Sequence, residues 1–136
     1  MGFEVYLQCF GETETTGISR TVVRSFFPIT EVDSEPDYWR VRYDSKNSCE
    51  IGVTPLASGR EMLTVLFVNL PCGDLKLWEG LLRVLRMGCV VMFWPGGPPV
   101  LAEGTSTSDL PKDMIDSIGK PRYVSSAAEL VRLVQE

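Results

Sequence analysis

Phe3, Val5, Leu7 and Cys9 alternate along the chain with Glu4, Tyr6 and Gln8. A period of two puts one set on each face of a half-buried strand. Past a polar stretch at 12–16 the period changes. Ile18, Val22, Val23, Phe26 and Phe27 recur at helical spacing, Ser19 is placed to cap the turn, and Ile18 and Val23 are placed to staple it. Pro28 ends that helix. Alternation returns in Trp39, Val41 and Tyr43 against Arg40 and Arg42, and again in Cys49, Ile51 and Val53 against Glu50 and Gly52. With residues 44–47 as the turn, the two runs predict a hairpin with a polar outer face. Residues 55–61 read as a loop.

Met62 to Leu70 is almost wholly apolar, which predicts a central strand covered on both faces. Asp74 then caps a helix whose buried stripe reads as Leu75, Trp78, Leu81, Leu82 and Leu85, with Lys76, Glu79, Arg83 and Arg86 facing water. Gly88 follows its end, and Cys89 to Trp94 is a second buried strand. Strand, helix and strand from 62 to 94 predict a parallel crossover. Pro95 to Pro98 is a turn, and Pro99 opens a short strand to Ala102. A short helix follows Ser106 to Asp109, with Pro111 in its first turn and Gly119 beyond its end. Arg122 to Val124 is a brief strand, and Ser126 with Glu129 forms a capping box for a last helix. The predicted class is α+β: a single mixed, largely antiparallel sheet, one parallel strand–helix–strand unit and about four flanking helices. A length of 136 residues predicts one domain over 1–136.

Composition narrows the chemistry more than the architecture. Hydrophobic residues make 44% and charged residues 23%, as in an ordinary soluble globule. Thirteen basic against 18 acidic residues leave a net charge of -5. That argues against nucleic acid and against an anionic membrane as partners, because both repel an acidic surface. Histidine is absent, which excludes Ser-His-Asp and Cys-His catalysis and every zinc site built with imidazole. Cys9, Cys49, Cys72 and Cys89 lack the short spacing of a zinc knuckle or redox motif, and each has apolar neighbours. They read as reduced, buried hydrophobes, and no cofactor or metal is expected. The first ten residues carry no base, and no apolar run reaches the length of a membrane span. The expectation is a cytoplasmic protein.

Pro71-Cys72-Gly73-Asp74 with Leu77-Trp78 and Leu81-Leu82, then Val90 to Phe93 with Trp94-Pro95-Gly96-Gly97, and the opening Val5 to Phe10, together resemble a family of short bacterial proteins with no established activity. The resemblance implies a bacterial, single-domain, cytoplasmic protein and carries over no catalytic residue. Small acidic α/β proteins of this size are common among toxin-neutralising immunity proteins, an analogy of size, charge and fold class alone.

Two candidate sites remain. Glu31, Asp33, Glu35 and Asp37 put four acids into seven residues, with Tyr38 and Trp39 beside them. Such a run is commonly a solvated loop, but aromatics next to it are typical interface anchors. It motivates a non-enzymatic binding module, an immunity-type inhibitor of a basic partner protein. The alternative is a small-molecule-binding or enzymatic domain with a pocket near Cys72, Gly73, Asp74, Gly96 and Gly97, at the carboxyl ends of two strands where α/β sheets place ligands. Against it, Pro98 and Pro99 remove two amide donors from the glycine loop, and Asp74 opposes a thiolate at Cys72. Asp109, Asp113 and Asp116 share a helix face but read as a cap and a solvated turn rather than a metal site. The sequence points away from an enzyme and leaves a homo-oligomer open.

Overall fold

The computed structural model describes residues 4–10, 18–32, 37–56, 59–69, 71–87, 90–105 and 119–135. In chain order they form β1 (Glu4–Cys9), β2 (Ile18–Ser19), α1 (Arg20–Arg24), β3 (Ile29–Val32), β4 (Tyr38–Arg42), β5 (Ser48–Leu56), β6 (Gly59–Asn69), α2 (Leu75–Leu85), β7 (Val90–Phe93), β8 (Val100–Ala102), β9 (Arg122–Val124) and α3 (Ala127–Gln135). All nine strands belong to one open mixed sheet ordered β3-β4-β5-β6-β1-β7-β8-β9, and β2 pairs with β6. The fold is α+β. Three helices are present among the described residues, not four; the helix predicted after Ser106, with Asp109, Asp113 and Asp116, lies outside them.

The predicted crossover is realised with a strand inserted. β1 pairs antiparallel with β6 on one side, Leu7 opposite Leu66, and with β7 on the other, Leu7 opposite Met92. β6 and β7 therefore run parallel, but they are not neighbours. Among the described residues the one adjacent parallel pair is β8 with β9. The hairpin of β4 and β5 forms as expected, Trp39 opposite Ile51 and Val41 opposite Cys49. The loop expected at 55–61 is instead mostly strand: β5 continues to Leu56, β6 begins at Gly59, and the register slips on either side of Pro55. A bulge is where a ladder tolerates a proline, which has no N–H to donate.

One face of the sheet is the core. Val5, Leu7, Trp39, Val41, Ile51, Val53, Leu66, Val68, Val90, Met92, Val100, Ala102 and Val124 are all buried there. The buried side chains of all three helices join the same cluster. Asp74 caps α2 by accepting from the Lys76 N–H at 2.9 Å, and Trp78 donates from Nε1 to the Cys72 carbonyl at 3.2 Å. The stripe on α2 is rotated from the expected one: Leu77 and Val84 are buried and Leu75 is 47% exposed. Gly80 explains the rotation. A Cβ there would stand 2.6 Å from the Phe27 ring and 3.1 Å from the Phe26 carbonyl oxygen, so α2 meets the end of α1 at its glycine. The N-cap of α3 departs slightly from a capping box. Ser126 accepts from the Glu129 N–H, but the Glu129 carboxylate returns to Ser125.

Candidate functional site

The other face of the sheet carries no helix among the described residues. Its side chains are the alternate set: Glu4, Tyr6 and Gln8 on β1, Tyr38 and Arg40 on β4, Glu50 and Gly52 on β5, Phe67 and Asn69 on β6, Phe93 on β7. Register brings one residue from each of five strands into a single row. Tyr38 is opposite Gly52, Gly52 opposite Phe67, Phe67 opposite Tyr6, and Tyr6 opposite Phe93. Gly52 leaves the only gap in the rings, and Phe67 fills it. A Cβ on Gly52 would lie 2.1 Å from Phe67 Cζ, so the ring rests on the bare backbone of β5. The contacts then run on without a break. Tyr38 and Phe67 meet edge-on at 6.4 Å between centroids, Phe67 and Tyr6 are tilted at 6.3 Å, and Tyr6 stacks on Phe93 at 5.4 Å. All four rings are partly exposed.

A polar row runs beside the aromatic one, one pleat away along the strands. Arg40 is opposite Glu50, Glu50 opposite Asn69, and Asn69 opposite Glu4. The two rows are tied together. The Tyr38 hydroxyl donates to Glu50 Oε2 at 2.9 Å, and the Tyr6 hydroxyl donates to Glu4 Oε2. These bonds to carboxylates, with some burial, hold both phenols above their ordinary pKa, so they stay protonated donors. Arg40 Nη2 lies 3.6 Å from Glu50 Oε1. Arg40, Ser48, Cys49, Glu50 and Asn69 line an open concavity of about 360 Å³. At the β7–β8 end of the face, Val91, Leu101 and Phe10 form a small buried cluster against Phe93.

The sequence-predicted residues are dispersed by this arrangement. Tyr38 belongs to the aromatic row. Trp39 points the other way, is 1% exposed, and lies under the Arg24 guanidinium, 5.9 Å from its ring; it reaches no surface on which a partner could dock. Asp37 Oδ1 pairs with Arg20 Nη2 at 2.9 Å. The backbone of Glu31 is in β3, while Asp33 and Glu35 lie outside the described residues. The residues of the alternative pocket are taken up in packing, capping and a turn. Cys72 sits beside Cys49, whose thiol is pushed up to about 12 by burial first and then by Cys72. Asp74 is engaged as a cap. Gly97 packs under the Trp94 ring, and Gly96 adopts the left-handed φ of 83° that a tight turn requires. The concavity at Arg40, Glu50 and Asn69 is lined by none of Cys72, Gly73, Asp74, Gly96 and Gly97.

Tyr6, Phe67, Phe93, Glu4 and Glu50 were not singled out from the sequence. The alternation around Tyr6 and Glu50 already put them on the outer face. Phe67 and Phe93 stand in runs so apolar that no periodicity separates the two faces. No family model, no curated protein and no solved structure matches the chain. The site therefore rests on its own geometry. It offers flat π faces, two carboxylates already oriented by phenolic donors, and an amide. That set recognises cations, since a Lys or Arg side chain lies favourably over a ring while its N–H groups reach a carboxylate.

Proposed function

We propose that the chain is a non-enzymatic protein-binding module that docks a basic partner protein on the sheet face that carries no helix among the described residues, as an immunity-type inhibitor docks a toxin. The observation that carries this reading is the unbroken row Tyr38, Phe67, Tyr6 and Phe93 with Glu4 and Glu50 bonded along its flank. Aromatic side chains are enriched as interface anchors because they bury much area at little conformational cost. The occupant is chosen by charge: carboxylates beside π faces favour Lys and Arg, and a net charge of -5 steers a basic partner toward the protein. Relative to the sequence reading, the partner is retained and the contact surface moves from the 31–39 loop to the sheet, with Tyr38 common to both.

The test is calorimetric titration of the purified chain with any basic protein encoded by a gene flanking its own, using wild type, Phe67→Ala, Tyr6→Ala and Glu50→Lys. Circular dichroism checks that each variant is folded. Saturable binding that each substitution weakens by about tenfold or more is the expected result, at the scale of interface hot spots. No binding by wild type, or binding indifferent to all three substitutions, overturns the reading.

A further inference from the structure

A second concavity, of about 380 Å³, opens on the core side of the molecule between the end of α1, the end of β4 and α2. Its lining combines an apolar wall of Phe26, Pro28 and Tyr43 with the cations Arg42, Lys76 and Arg83 and one carboxylate, Glu79. We propose that this cavity binds a small phosphate monoester that carries a ring, the phosphate at the cations and the ring on the apolar wall.

Charge distribution is the first argument. Acids outnumber bases 18 to 13, so cations should readily find carboxylates. Arg20 and Arg40 do. Among the described residues, no carboxylate lies within ion-pair reach of Arg42, Lys76 or Arg83, although all three border one cavity. The nearby acids are held by other groups. Asp44 accepts from the Asn47 side-chain amide, the Lys46 N–H and the Asn47 N–H, which with the nearby Lys76 charge hold its carboxyl below the usual range, and its carbonyl accepts from Arg42 Nε at 3.4 Å. Asp74 is bound to the Lys76 N–H as the cap of α2. Within the lining three cations stand against Glu79, with Asp44 acting on Lys76 from outside it, so the lining is net positive in a negative protein.

Construction is the second argument. Lys76, Glu79, Gly80 and Arg83 recur at i, i+3, i+4 and i+7, one face of α2. Gly80 is the point at which that face touches Phe26 and Phe27, so the missing side chain brings the apolar wall against the cationic one. The Tyr43 ring backs the cavity while its hydroxyl is buried and has no hydrogen-bond partner. Burial pushes that phenol well above its ordinary pKa, so the wall remains neutral and the positive charge belongs to the rim. A volume of about 380 Å³ falls within the range of small-molecule sites, and too few rim groups exist to follow a polymer backbone. Guanidinium groups favour phosphate because their fork matches two of its oxygens. This site is separate from the sheet face proposed for the partner, and either proposal survives failure of the other.

The experiment titrates the full chain, labelled with nitrogen-15, with phenyl phosphate, inorganic phosphate and phenol, following amide shifts at low and at physiological salt. Saturable shifts centred on residues 42–43 and 76–83 with phenyl phosphate are expected, weaker with inorganic phosphate and absent with phenol. Arg83→Ala or Lys76→Ala weakens binding by about tenfold or more, the loss expected for a charge-assisted hydrogen bond, and Glu79→Gln tightens it. These side chains are exposed, so the variants keep the fold, and their unperturbed spectra check it. No saturable shift with phenyl phosphate overturns the proposal. So does equal affinity for inorganic phosphate, which would leave the apolar wall without a role, or affinity unchanged in the cation variants.

Discussion

At the scale of single residues, two glycines do opposite things with the same missing methyl. Gly52 lets a partly exposed ring lie on a strand, and Gly80 lets the Phe26-Phe27 segment after α1 lie against α2. A glycine inside a helix is about 1 kcal/mol worse than alanine by propensity. Gly80→Ala should nevertheless destabilise the protein, by about 1–3 kcal/mol, because the new Cβ meets a buried Phe27 ring and a backbone oxygen that cannot move aside. Denaturant midpoints measure this, and Phe27→Leu in the same chain should recover part of the loss. A Gly80→Ala midpoint above wild type would mean that Phe26 and Phe27 do not press on α2 there. Cys49 supplies a prediction in pH. Its thiol is held up to about 12, whereas an unfolded thiol titrates near about 8.5. A pKa raised on folding stabilises fully below the unfolded value, and that contribution is lost as pH rises toward the folded one. Stability should therefore fall from about pH 8.5 toward 12, and Cys49→Ala should flatten that slope. Equal slopes for the two proteins would contradict the burial of this thiol. Tyr43, also raised by burial, adds a slope of the same sign in both.

At the scale of elements, the caps were the most legible features, because a cap is a local contract between a side chain and an amide two or three residues away. Ser19, Asp74 and Ser126 each accept the predicted kind of bond. Asp74→Ala should lower stability by about 1 kcal/mol, read as a shift in thermal midpoint, whereas Asp74→Asn should nearly restore it. If alanine and asparagine behave alike, the cap contributes nothing. Pairing partners were far less legible. Period two told which residues of β1 share a face, but no local pattern says that β1 enters between β6 and β7. That placement depends on matching Leu7 with both Leu66 and Met92, contacts far apart in sequence. β3 was missed for a similar reason. Ile29–Val32 follows a proline and contains an acid, so propensity argues against a strand, yet it completes the edge of the sheet beside β4. Charged residues and a bulge on an edge strand also discourage pairing with another molecule. The aromatic row was legible only in halves. Tyr6 and Tyr38 stand in alternating runs, while Phe67 and Phe93 acquire a face only once the register is known.

At the scale of the whole molecule, the sheet separates two chemistries. One face is spent on the core and its helices, and the other presents rings, carboxylates and an amide. Net charge then acts on whatever approaches. At physiological salt a field from exposed charges decays over about 8 Å, so steering by Glu4 and Glu50 acts on the encounter rather than on the finished contact. Glu4→Gln with Glu50→Gln separates these effects. Glutamine keeps an oxygen that can accept from the Tyr6 and Tyr38 hydroxyls, so the rings should hold their positions and stability should change little. The charge alone is removed. Association with the proposed basic partner, followed by stopped flow over a salt series, should be slower for the double variant at low ionic strength. The two proteins should converge as salt rises, and the dissociation rate should change less than the association rate. Parallel salt dependences would show that these carboxylates do not face the partner. A change confined to dissociation would show instead that they are buried in the contact as direct ligands of its Lys or Arg side chains. The aromatic row would then be the centre of the interface, and its acidic flank would lie within it rather than at its rim.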